Sequence, residues 1–174
     1  MKQKIQIRCK NNKKSQKVEI GSTLFDVFSS FDLKMTHGPV SARVNNKVEG
    51  MHYRVYNSKD VEFLDMNSAS GSRAYTRTLF FVLCKAVQDI YPNTDVVIDI
   101  PVSNGFYVDI RLGRPVVDED VNILRRRMQE IIDSKMPIRR FTVPTEEAIA
   151  LFQEKGDVEK VKLLRTSGSI YTTY

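Results

Sequence analysis

Arg73 and Arg77 stand four residues apart in a stretch that reads as helix, so the two guanidiniums fall on one face, one turn apart. Neither can serve as a base or a metal ligand, because a guanidinium stays protonated near neutral pH and has no lone pair to offer. Two readings stand. The pair is solvated helix surface, where arginine is usually found, or it is an anion site, with a phosphate, a carboxylate or a structural Asp relieving the repulsion between like charges. A second basic group opens the chain: Lys2, Lys4, Arg8, Lys10, Lys13, Lys14 and Lys17 all precede the first acid, Glu19. Lys10, Lys13 and Lys14 cluster at a turn and are candidates for contact with a nucleic-acid backbone. Lysines on an edge strand also block aggregation, which is the other reading of the same residues. Arg125-Arg126-Arg127 and Arg139-Arg140 either extend a basic surface or are solvated helix and loop positions.

Other chemistries find no constellation. Cys9 and Cys84 have no metal-ligand spacing. Cys84 lies on the apolar side of its helix and is expected to be a buried thiol. His37 and His52 fall in loop or surface stretches. None of the eight glycines is followed by lysine, so the phosphate-binding loop GxxxxGK[ST] is absent from these 174 residues. The composition, 41% hydrophobic and 28% charged, is that of an ordinary globular chain. No apolar run has the length of a membrane span or of a signal-peptide core, so a cytoplasmic protein without membrane contact is expected. The net charge of +6 is uneven: residues 1–68 carry twelve Lys and Arg against seven Asp and Glu, while the remainder is nearly balanced.

The elements that must position these residues follow from periodicity. Lys4–Arg8 and Gln16–Ile20 alternate apolar and polar around Asn11-Asn12-Lys13-Lys14, which predicts a β-hairpin. Ser22 is the expected N-cap of a helix carrying Leu24, Phe25, Val27, Phe28 and Phe31. Strands are expected at Val40–Val44 and Val61–Leu64. The small polar run 67–72 reads as a linker, and a long helix over 72–91 ends before Pro92. Val96–Ile100 and Gly105–Arg111 form a second hairpin about Ser103-Asn104-Gly105. Asp118-Glu119-Asp120 open a helix at its positive end, with Val121, Leu124, Met128, Ile131 and Ile132 as the buried stripe. A strand near Ile138–Val143, a helix from Thr145 and a short helix over 157–165 complete the pattern. The strand-forming run 167–174 predicts that the domain continues past Tyr174.

Two stretches carry a resemblance. Ser41-Ala-Arg-Val-Asn-Asn-Lys-Val resembles the strand–turn–strand of the TGS domain, and Pro101-Val-Ser-Asn-Gly-Phe-Tyr-Val-Asp109 is similar to the hairpin Pro-Val-x-x-Gly-Phe-Tyr-Tyr-Asp of threonyl-tRNA synthetases. Glu119-Asp120, Arg127-Met128, Thr145–Ala148 and Lys155–Leu164 fit the segments that follow in that family. The resemblance implies an α+β chain: a β-grasp, ubiquitin-like TGS domain over residues 1–66, then an editing-type domain with a long helix and an antiparallel sheet over 67–174. In the family the helix opens with His-x-x-x-His; here those positions are Arg73 and Arg77. The later Cys-x-x-x-His of the editing cluster is not in this chain, and the second tyrosine of the hairpin is Val108. Lys160 matches a lysine of the family's cleft, which makes it a candidate third cation beside the arginines.

The same pair of domains precedes a P-loop kinase in bacterial proteins described as uridine or nucleoside kinases. Tyr75–Leu83 and Gly38–Gly50 resemble that group more closely. The expectation is therefore a non-catalytic accessory module that senses a ligand or docks RNA or protein. It would hold no metal or cofactor of its own, and ATP and magnesium would belong to a C-terminal kinase domain of the parent. The alternative is a divergent aminoacyl-tRNA editing domain of a threonyl-tRNA synthetase-like protein. A third reading is RNA binding through the basic hairpin alone.

Overall fold

The computed structural model describes residues 3–103 and 105–174, so Lys2 of the basic cluster and Asn104 of the second hairpin turn lie outside the described residues. The architecture is α+β, with nine strands and five helices among the described residues. The chain divides into two units, Met1–Ile132 and Asp133–Tyr174.

The first unit begins with β1 (Lys4–Cys9), β2 (Ser15–Glu19), α1 (Leu24–Ser30), β3 (Ser41–Val44), β4 (Lys47–Gly50) and β5 (Lys59–Leu64). The strands make one mixed sheet in the order β2-β1-β5-β3-β4, parallel only between β1 and β5. Alternation sends Ile7, Cys9, Val18, Val44, Val61 and Phe63 to one face, where they pack with Leu24, Val27 and Phe31 of the α1 segment. Phe28 meets Phe63 edge to face at 5.1 Å. The opposite face of β1 carries Gln6, Arg8 and, just beyond the strand, Lys10. The N-cap of α1 is Thr23, one residue beyond Ser22, because Thr23 and Asp26 form a reciprocal capping box. Phe25 escapes the core and is 45% exposed, with its ring against His52.

α2 (Ala69–Ile90) starts three residues earlier than the periodicity suggests. The run that reads as linker is its first turn: Ser68 caps it, accepting from the Gly71 N–H at 3.0 Å. Gly71 is required there. A Cβ on it would stand 1.8 Å from the Asp65 carbonyl oxygen and 2.7 Å from the carbonyl carbon, both backbone atoms. β6 (Val96–Val102) and β7 (Gly105–Ile110) pair antiparallel, and α3 (Asp118–Asp133) follows. Val82, Ala86 and Val87 of α2 bury against Leu124 and Ile131 of α3, with Val96 and Ile110 of the hairpin packed beside them. The predicted stripe of α3 is only partly buried, since Val121 is 43% and Ile132 46% exposed. Cys84 is half-buried, because it sits on the flank of α2 away from Val82 and Ala86.

The second unit holds β8 (Thr142–Pro144), α4 (Thr145–Glu154), α5 (Val158–Thr166) and β9 (Tyr171–Thr173). β8 and β9 pair antiparallel. The strand expected from Ile138 begins only at Thr142, opposite Thr173 at the end of β9. The Tyr174 ring packs against Phe141 and Phe152. No helix among the described residues is long and apolar enough to cross a membrane.

Gly71→Ala forces the Asp65 backbone aside and is expected to destabilise the first unit by about 1–3 kcal/mol. A urea midpoint equal to that of the wild type would show that the approach is not needed.

Candidate functional site

Arg73 and Arg77 project from the first two turns of α2, both exposed. At 100° per residue they lie across the helix from Val82 and Ala86, on the flank shared by Phe80 and Cys84. Phe80 meets Phe106 of β7 at 5.0 Å, so the aromatic edge of the α2–β7 packing continues the arginine stripe. Among the described residues the Arg73 guanidinium reaches only the Ser70 hydroxyl, at 3.3 Å. Among the described residues neither arginine meets a carboxylate, so the reading as a structural Arg–Asp pair is removed. Two guanidiniums one turn apart remain, with donors to offer and no lone pair for proton transfer.

Lys160 belongs to the second unit. Its ammonium pairs with Asp157, the N-cap of α5, and stands over the Phe152 ring at 5.2 Å from the centroid. The hydrogen bond from Lys160 holds the Asp157 carboxyl below the usual carboxylate range. Its charge is therefore already matched locally.

The basic turn is more rigid than its composition suggests. Asn11 behaves like an added piece of strand: its amide nitrogen donates to the Phe63 carbonyl at 3.0 Å, and its amide oxygen accepts from the Phe63 N–H at 2.8 Å. Asn12 donates to the Phe31 carbonyl at 3.3 Å and accepts from the Lys14 N–H at 3.0 Å. Lys13 takes a left-handed φ of 60° at the turn. Lys10, Lys13 and Lys14 are thus exposed on a turn pinned to β5 and to the end of α1, and among the described residues none is in an ion pair. Beside them, Gln6, Arg8 and Ser15 share a polar hollow with Ser58, Lys59 and Asp60. The asparagine pins hold the basic turn in a way that periodicity does not reveal, since Asn-Asn reads equally well as a plain turn.

The basic run of α3 splits. Arg125 and Arg126 are exposed, whereas Arg127 donates to Asp89 of α2 at 2.8 and 3.0 Å and to Glu130 at 2.8 Å. Lys85 pairs with the same Asp89, and the bonds from Lys85 and then Arg127 lower its pKa. Arg139 and Arg140 are exposed outside any helix or strand.

The acidic start of α3 holds a clamp. Asp120 is buried and accepts four hydrogen bonds: from the Tyr91 hydroxyl at 2.6 Å, from Arg114 at 2.6 and 2.8 Å, and from the Val117 N–H at 3.0 Å. Arg114 first, then Tyr91 and the backbone, hold the Asp120 carboxyl well below the usual carboxylate range. The same carboxylate pushes the Tyr91 hydroxyl up. Arg114 and Tyr91 drew no attention in the sequence; an acid at the third helical position is the only signal that marks Asp120.

No protein-family model matches the chain. It is similar to threonine–tRNA ligases: 30% identical over 145 residues to that of Acetivibrio thermocellus, covering 83% of this chain and 23% of the ligase. The ligase of Clostridium kluyveri is 28% identical over 161 residues, 92% of this chain and 25% of the ligase. That of Methylococcus capsulatus is 26% identical over 154 residues, 87% of this chain and 24% of the ligase. The chain spans about a quarter of the length of these curated relatives. It is, over most of its length, a threonyl-tRNA synthetase-like region. These relatives lend no support to the nucleoside-kinase parent expected above, and favour the synthetase-like alternative.

Folding lowers the pKa of Asp120, so the unfolded chain binds more protons in acid. Its contribution is fully present above about pH 4, the unfolded carboxylate value, and is lost as pH falls towards the folded pKa. Asp120→Asn is expected to flatten the fall of thermal stability below pH 4 by up to about one proton's linkage. Melting curves from pH 6 to pH 2 that fall in parallel for both proteins would refute the clamp.

Proposed function

We propose that this chain is a non-catalytic, RNA-holding region of a threonyl-tRNA synthetase-like protein. On this reading residues 1–66 are a TGS-type β-grasp module, and residues 67–174 are an editing-type scaffold whose histidine pair has been replaced by an anion grip. The observation that carries the reading is the pair of exposed, uncompensated guanidiniums of Arg73 and Arg77, one turn apart on α2. Arginine matches phosphate geometry with two parallel donors, and gives up the lone pair that hydrolysis or metal binding would need. The pinned lysines Lys10, Lys13 and Lys14 add a second contact to the phosphate backbone, and the similarity to threonine–tRNA ligases favours a tRNA as the RNA. Lys160 is left out of the grip because Asp157 already neutralises it.

The second reading is a divergent editing hydrolase. It is favoured by similarity that runs through both halves of the chain.

Titration of threonine tRNA at several salt concentrations, followed by anisotropy, separates the two when combined with a hydrolysis assay on mischarged threonine-tRNA. The RNA-holding reading predicts saturable binding that weakens steeply with salt and no hydrolysis above background. Replacing Arg73 and Arg77 with Ala reduces the slope of log affinity against log salt by about 2. Hydrolysis far above background would establish the enzyme instead. Binding that is absent or indifferent to salt would remove the RNA reading.

A further inference from the structure

The α3 side of the first unit contains a cleft that the RNA reading does not use. It is lined by Leu83 of α2, Val108 and Ile110 of β7, and Val121, Leu124 and Arg125 of α3. Its volume is about 480 Å³, within the range of small-molecule sites.

Three observations bear on what it is for. The first is that it is held open. Asp120 is tied to Tyr91 and Arg114, and Arg127 is tied to Asp89, so polar clamps fix α3 on either side of Val121, Leu124 and Arg125. An apolar cleft between two helices would otherwise close by sliding one helix inward; here that motion would break charge-assisted bonds. The second is that Val108 of β7, a short side chain, lies in the wall. A phenol ring there would occupy the space that valine leaves. The third is charge. The only ionisable lining residue is Arg125, exposed and, among the described residues, without an ion-pair partner. Of the carboxylates on the flanking elements, Asp120 is in its clamp and Asp109 is with Arg111, while Asp118 and Glu119 are exposed in the first turn of α3.

We infer that this cleft is a binding site for a small amphipathic monocarboxylate, its apolar body between α2, β7 and α3 and its carboxylate on the Arg125 guanidinium. Apolar walls supply affinity by removing the body from water. The planar fork of arginine selects a carboxylate over a neutral amide of the same shape. This site is independent of the RNA contact: it would stand if the chain bound no RNA, and fall without affecting that reading.

The test is calorimetric titration of the whole chain with naphthalene-2-carboxylate and with its neutral counterpart, naphthalene-2-carboxamide. The expected result is one-to-one binding of the carboxylate, more weakly matched by the amide. Arg125→Gln weakens the carboxylate about tenfold and leaves the amide unchanged. Val108→Tyr fills the cleft and abolishes both without lowering the melting temperature. Absence of saturable carboxylate binding, or binding that Arg125→Gln does not weaken, would overturn the proposal. Should Val108→Tyr fail to fold, Arg125→Gln decides alone, because its side chain is exposed and supports no packing.

Discussion

The buried carboxylate of Asp120 is the constraint on which the second half of the first unit depends. It joins the C-cap of α2, through Tyr91, to the loop before α3, through Arg114, and to the first turn of α3 itself. A carboxylate buried without partners would be protonated or would unfold its surroundings. With four donors around it, Asp120 stays charged and dictates where α3 begins. The position of α3 then sets the packing of Leu124 and Ile131 against Val82, Ala86 and Val87, which in turn fixes the rotation of α2. That rotation is what leaves Arg73 and Arg77 facing outward. The arginine pair is thus positioned by an interaction at the far end of the same helix.

In the N-terminal sheet, a comparable role falls to neutral groups. Asn11 continues the hydrogen bonding of β5 and Asn12 holds the end of α1, so the turn between β1 and β2 carries its lysines on a fixed frame. A cation on a rigid turn loses less conformational entropy on meeting a phosphate than one on a floppy loop. Gly71 ties the two cores together, since only a residue without a side chain lets the first turn of α2 approach the Asp65 carbonyl so closely.

Much of this was readable from the sequence because it rests on local period. The alternation of Ile5, Ile7 and of Phe106, Val108, Ile110 marks strands wherever they pair, and the α+β class follows. What escaped depends on partners distant in sequence. Ser68–Ser72 looks like a linker until Ser68 is seen capping a helix. Three acids at the start of α3 look equivalent in a dipole argument, and only Tyr91 and Arg114 single out Asp120. Val121 and Ile132 fit an apolar stripe yet stay well exposed. Of the candidate site, the arginine pair is legible as spacing, while the absence of a carboxylate beside it among the described residues is a tertiary fact. Lys160 shows the reverse: a match to a family position whose charge is taken up by Asp157 one turn away.

The claim that most needs a direct look is that the two guanidiniums themselves hold RNA. Nitrogen-15 NMR of the arginine side chains reads it without relying on substitutions. Threonine tRNA added to the labelled chain should shift and slow the exchange of the Nε–H signals of Arg73 and Arg77 together, saturating with the binding curve. Signals that stay unmoved while tRNA is fully bound would place the RNA elsewhere and contradict the account.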